Sequence, residues 1–171
     1  MLIVSPLHCV LGLIASRAPS HLVSLCSSPD DLADLPPWSS ESHLRLCFHD
    51  ITEARADLVA PDSAMVGALL DFAQAWDGSR PLLIHCWAGI SRSCAAAFIL
   101  ACERNPGRER EVAAELRRRA PFATPNRLMV RLADDILGRA GHMVDAVDAI
   151  GRGVEAAHGE PFCFPAHRFE P

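Results

Sequence analysis

Lysine and tyrosine are both missing from this chain of 171 residues, so all sixteen basic side chains are arginine. Together with abundant alanine, this reads as the coding bias of a GC-rich, bacterial genome. No excess of positive charge is present either: the net charge is -5 and the pI about 5.9. That excludes broad binding to nucleic acid or to an anionic membrane surface, both of which need a dense basic face. Any anionic ligand must be caught locally. The seven cysteines, Cys9, Cys26, Cys47, Cys86, Cys94, Cys102 and Cys163, contain no C-x-x-C pair. An odd set without that spacing argues against a disulfide framework or a zinc knuckle and suits a reducing cytoplasm. The eight histidines show neither H-E-x-x-H nor clustered ligand spacing, so no metal is expected. No apolar run reaches the roughly 18 residues of a membrane span. The apolar opening, residues 2–14, lacks the basic flank of a secretion signal and carries Pro6 and His8, so it reads as a strand and a helix instead.

What is present suits one globular domain, residues 1–171, since 50% of residues are hydrophobic and 22% charged. Residues 2–5 read as a buried strand, with Ser5 and Pro6 as N-cap and first residue of a helix reaching Arg17. A second strand is expected over 21–26, a polar connection over 27–42, and a third strand over 44–48, where Leu44, Leu46 and Phe48 alternate. A charged loop runs on to Ala60. From Asp62 the period becomes helical, with Met65, Leu69, Phe72 and Trp76 on one face, ending near Gly78. A compact apolar strand at 81–86 leads into a nearly all-apolar helix at 93–102, stopped by Asn105, Pro106 and Gly107. Three more helices follow at 108–119, 126–137 and 142–157. The core is expected over 43–137, with a helical extension over 138–158 and an irregular tail over 159–171. Alternating strands and helices predict an α/β fold with a central, mostly parallel sheet flanked by helices, and ligands at the carboxyl ends of its strands.

The chemistry is concentrated in His85-Cys86-Trp87-Ala88-Gly89-Ile90-Ser91-Arg92-Ser93. A cysteine ends a strand, five residues including a glycine follow, and Arg92 and Ser93 open a helix. Backbone N–H groups of Trp87, Ala88, Gly89, Ile90, Ser91 and Arg92 can curl into a nest for phosphate, backed by the helix N-terminus. Gly89 permits the curl. Arg92 offers a planar fork for two phosphate oxygens. The same field stabilises the Cys86 thiolate, which can attack phosphorus, and the Ser93 hydroxyl can donate to the sulfur when it departs.

This segment matches H-C-x-x-G-x-x-R-(S/T), and the chain resembles the cysteine-dependent protein tyrosine phosphatases, most of all their small dual-specificity-like branch and its bacterial members. The resemblance covers roughly residues 43–137. It implies a central parallel or mixed sheet with the phosphate loop at its edge, a phosphocysteine intermediate, a phosphorylated protein or peptide as substrate, and no metal or organic cofactor. It further implies a carboxylic acid on a loop ahead of the cysteine, to protonate the leaving group. Asp50, 36 residues before Cys86, is the candidate, with Glu53 and Asp57 as rivals in the same loop. The Trp-Pro-Asp tripeptide of the larger enzymes is missing. The sole glutamine, Gln74, precedes the loop, so their water-positioning glutamine has no counterpart, which favours the small branch. Pro125 and Asn126 match a pair at the head of a late helix, where the asparagine helps hold the phosphate loop; Asn126 also suits a plain N-cap. His85 is a supporting residue, and Trp87 either walls the pocket or packs beneath the loop.

Other signals are discounted. Gly151-Arg-Gly-Val-Glu-Ala156 spells a dinucleotide fingerprint with no strand before it, and Gly89-Ile-Ser-Arg-Ser93 lacks the final glycine of a nucleophile elbow. Ser91 reads as a donor of the loop, and Arg117, Arg118 and Arg119 as a solvated helix end. Cys94 and Cys47 are possible traps for an oxidised Cys86. The function read from the sequence is hydrolysis of phosphate monoesters, on phosphotyrosine or with dual specificity. The alternatives are a catalytically weak module that binds phosphoproteins, a phosphatase of small metabolites, and a sulfurtransferase. Phosphoinositides fit less well, because Trp87, Ala88, Ile90 and Ser91 add no positive charge.

Overall fold

The computed structural model describes residues 1–167. Among them run five strands, β1 (Leu2–Pro6), β2 (His21–Cys26), β3 (His43–Cys47), β4 (Leu82–Cys86) and β5 (Phe162–Phe164), in the sheet order β3-β2-β4-β1-β5. The first four pair in parallel and β5 is antiparallel to β1. The α-helices are α1 (Val10–Arg17), α2 (Ser63–Gln74), α3 (Arg92–Arg104), α4 (Glu109–Arg119), α5 (Arg127–Leu137) and α6 (His142–Ile150). The fold class is therefore α/β with a central, mostly parallel sheet flanked by helices.

Side chains alternate between the two faces of the sheet, as the two-residue strand period requires. Leu2, Val4, Val23, Leu25, Leu82 and Ile84 enter the larger core, shared with α2 to α6. Ile3, Leu22 and Leu83 enter a smaller one with Val10, against which Leu13, Ile14 and Trp38 pack from α1 and the connection after β2. Strands buried on both faces read as continuous apolar runs, which is why β4 carries no alternation in its sequence. Because β4 lies between β2 and β1, the segment after Cys86 leaves the middle strand of the sheet. Helix α3 is buried at every residue from Arg92 to Cys102, and the small side chains of Ala95, Ala96, Ala97 and Ala101 let neighbouring elements approach it closely.

Several boundaries differ from the sequence expectation: β3 is shifted by one residue to His43–Cys47, and α2 ends at Gln74 rather than near Gly78. No helix starts at Pro6: the residue is extended (φ -72°, ψ 160°) and stays in register with Cys86, and a 3-10 turn, Leu7–Cys9, precedes α1. Proline's fixed φ suits a strand end as well as a first helical turn. The all-apolar helix begins earlier and ends later than 93–102. Helix α6 stops at Ile150 rather than reaching Ala157, because Gly151 turns left-handed (φ 64°). The tail read as irregular contains β5, whose Phe164 is fully buried; its residues 168–171 lie outside the described residues.

Phe164 fills the larger core from the antiparallel edge strand, so Phe164→Ala is expected to cost about 3 kcal/mol of stability. Urea unfolding measures it.

Candidate active site

The loop after β4 takes its shape from where its carbonyl groups are sent. Leu7 N–H donates to Trp87 O (3.2 Å), Gly159 N–H to Ala88 O (2.8 Å), Thr124 N–H to Ile90 O (3.0 Å) and Asn126 N–H to Ser91 O (3.4 Å). The Cys94 thiol donates to Gly89 O at 3.4 Å. With these five carbonyls engaged by surrounding elements, the loop's own N–H groups are left for the interior, and that of Gly89 points at Cys86 Sγ (3.2 Å). Gly89 has φ 72°, and a Cβ on it would stand 2.5 Å from Pro6 N, so only glycine fits between the loop and the end of β1.

Cys86 is buried at the end of β4, with Ser93 Oγ 3.2 Å from its sulfur. Arg92, 4% exposed, donates through Nη1 to Phe48 O (2.7 Å) and Ser27 Oγ (3.1 Å), and its guanidinium carbon lies 5.8 Å from the centre of the Phe48 ring. Its Nε is buried with no hydrogen-bond partner among the described residues. An unpaired donor on a buried cation is costly, which marks this nitrogen as one that an anion would satisfy.

Asp50 lies beyond β3 on an exposed loop, and both of its hydrogen bonds fall on Oδ1. Ser91 Oγ donates at 2.7 Å and Asn126 Nδ2 at 2.7 Å. Asn126 is also the N-cap of α5, its Oδ1 accepting from Met129 N–H (3.0 Å). The hydroxyl of Ser91 is thus engaged by the Asp50 carboxylate. The base of the loop that carries Asp50 is closed by His49, whose N–H donates to Val59 O (2.7 Å) and whose Nδ1 accepts from Val59 N–H (2.9 Å). Of the rivals, Glu53 lines a separate cleft with Arg127 and Arg131, and Asp57 occupies a left-handed turn position (φ 63°). Trp87 does not pack beneath the loop: it is 58% exposed and walls a cavity with Leu11, Asp30, Asp34, Leu35 and His158.

His85 lies on the other face of the sheet from Cys86, where a chain of hydrogen bonds reaches it. Arg45 Nε donates to His43 Nδ1 (3.2 Å). A neutral imidazole has one proton, so His43 Nε2 carries it and donates to Ser24 Oγ (2.8 Å). The Ser24 hydroxyl then donates to His85 Nε2 (2.6 Å), leaving the His85 proton on Nδ1. Burial pushes both imidazoles down to about 4, so both are neutral at pH 7. Ser24, Ser27, His43, His49, Thr124 and Gly159 were not singled out from the sequence. The signal for Ser24 was a lone polar residue inside the apolar run of β2.

No protein-family model and no curated protein sequence matches this chain. Solved structures do. The crystal structure of DUSP15 is similar at a TM-score of 0.62 with 17% identity, covering 87% of this chain and 89% of that one. For the PTP-2 phosphatase of Cydia pomonella the TM-score is 0.58 at 20% identity, with 78% and 84% covered. For PTPMT1 it is 0.59 at 16% identity, with 82% and 94% covered. The chain thus has the fold of the protein tyrosine and dual-specificity phosphatases.

Two outcomes follow from this geometry. Gly89→Ala forces a side chain into a left-handed position against Pro6, and is expected to lose about 2 kcal/mol or more in urea unfolding and to disrupt anion binding. The unfolded chain protonates His43 and His85 at the ordinary value of 6.5, the folded chain only near 4. Their contribution is therefore complete above that ordinary value and is lost as pH falls towards 4. Unfolding free energy should drop between about pH 7 and about pH 5, with a shallower drop in His43→Gln.

Proposed function

We propose that this protein hydrolyses phosphate monoesters through a phosphocysteine, as a cytoplasmic protein tyrosine or dual-specificity phosphatase of the small branch, on phosphorylated protein or peptide. The observation that carries the reading is the buried Arg92 Nε without a partner, in a loop whose nucleophilic sulfur is already met by an inward N–H. The fold shared with DUSP15, PTPMT1 and the Cydia pomonella phosphatase supports it.

In this reading Cys86 Sγ attacks phosphorus in line with the departing oxygen, forming the S–P bond as the P–O bond breaks. Arg92 Nε and the loop N–H groups hold the equatorial oxygens, whose charge they match in the transition state better than in the substrate. Asp50 gives its proton to the leaving oxygen, and Ser91 and Asn126 fix the carboxyl by Oδ1 while Oδ2 serves the proton. In the second step Asp50 takes a proton from water as it attacks phosphorus, the S–P bond breaks, and the Ser93 hydroxyl stabilises the departing sulfur. The exposed ring of Trp87, next to Cys86 in the chain, is the surface on which the phosphorylated residue stacks in this reading.

Steady-state hydrolysis of an aryl phosphate tests this. Cys86→Ser is expected to abolish turnover, and Asp50→Asn to lower kcat about a hundredfold, while Glu53→Gln leaves it unchanged. A wild-type chain that binds phosphate without turnover would instead be a phosphoprotein-binding module.

A further inference from the structure

The carboxyl ends of β2 and β3 hold a pair of thiols that the proposed reaction does not use. Cys26 and Cys47 are direct partners in the parallel register. The strand spacing of about 4.8 Å sets their Cα atoms within the span of a disulfide. Both are free thiols on the same face of the sheet, their sulfurs 3.0 Å apart, with Cys26 buried and Cys47 half-buried. The residue following each one is an acceptor for Arg92: Ser27 Oγ at 3.1 Å and Phe48 O at 2.7 Å. Phe48 N–H also donates to Cys26 O (2.9 Å), so the two acceptors hang from the thiol pair by one peptide unit each. Cys94, by contrast, is fully buried with its thiol on Gly89 O, and the thiol nearest to Cys47 is that of Cys26.

We propose that Cys26 and Cys47 form a redox-modification site, where a peroxide converts the two thiols to a disulfide that displaces the acceptors of Arg92 and weakens anion binding in the loop. The second part rests on reading that loop as a phosphate site. Burial, and then the hydrogen bond with Cys47, push the Cys26 thiol up to about 12. The more accessible Cys47 therefore meets the oxidant first. Its sulfur takes one peroxide oxygen and water is released. Cys26 Sγ then attacks Cys47 Sγ; the S–S bond forms, the S–O bond breaks, and hydroxide leaves with the Cys26 proton as a second water. Peroxide gains two electrons, one from each sulfur. Drawing the sulfurs from 3.0 Å to about 2.05 Å pulls the two strand ends together by up to about 1 Å. Shifts of that size at positioning groups are strongly felt in a preorganised site.

The test uses the full chain carrying Cys86→Ser, so that the loop cysteine cannot react. Hydrogen peroxide treatment is followed by alkylation and peptide mapping, and affinity for inorganic phosphate is measured before oxidation, after it, and after dithiothreitol. The expected result is a peptide pair joined through Cys26 and Cys47, with phosphate binding about tenfold weaker and full recovery on reduction. A second chain carrying Cys47→Ser as well should show neither change. If Cys26 and Cys47 both remain alkylatable after peroxide, the site is overturned; a bridge with unchanged phosphate affinity overturns the link to Arg92. If even the reduced chain fails to bind phosphate, the phosphate reading of the loop fails, and the peptide map still decides the thiol site.

Discussion

Peptide groups carry a donor and an acceptor on opposite edges, so a loop can aim its N–H groups at one point only if its carbonyls are satisfied elsewhere. The segment from Trp87 to Ser91 meets this condition with partners from four parts of the chain. Leu7 follows β1, Thr124 and Asn126 precede α5, Gly159 lies just before β5, and Cys94 is in α3. The C-terminal tail is thereby tied to the loop: Gly159 lies against Gly89 O, and a Cβ there would stand 2.9 Å from that oxygen. The rest of the site inherits its geometry from this ring.

Around the ring, the reactive side chains are held by a few shared residues. Ser91 and Asn126 each contribute backbone to the loop and side chain to Asp50, so the Asp50 carboxylate and the loop are fixed by the same two residues. Arg92 is held from the ends of β2 and β3, the strands on the far side of β4 from β1. Beneath the sheet, three hydrogen bonds run from Arg45 through His43 and Ser24 to His85 Nε2, and neither imidazole carries a charge. Neutral rings avoid the cost of burying a cation beside Arg92.

The sequence was most informative where function is local in the chain. Cys86, Gly89, Arg92 and Ser93 lie within eight residues, on a strand, a loop and a helix whose apolar runs announce them. The sheet class was legible for the same reason. What stayed hidden depends on pairing across distance. Three residues of β5 carry no periodicity of their own and become a strand only beside β1. Pro6 fits a helix start or a strand end equally well until Cys86 lies opposite. That Asp50, and neither Glu53 nor Asp57, meets the side chain of Asn126, 76 residues further on, depends on such pairing. Ser27 and Gly159 act through backbone proximity that no spacing rule encodes.

The central claim is that the sulfur of Cys86 takes the phosphoryl group. Wild-type protein turning over an aryl phosphate, quenched in acid within the first turnover and mapped by mass spectrometry, measures this directly. The account requires a phosphate adduct on the peptide carrying Cys86, absent from Cys86→Ser. Turnover with no adduct at Cys86, or with the phosphate on Ser91 or Ser93, would contradict it.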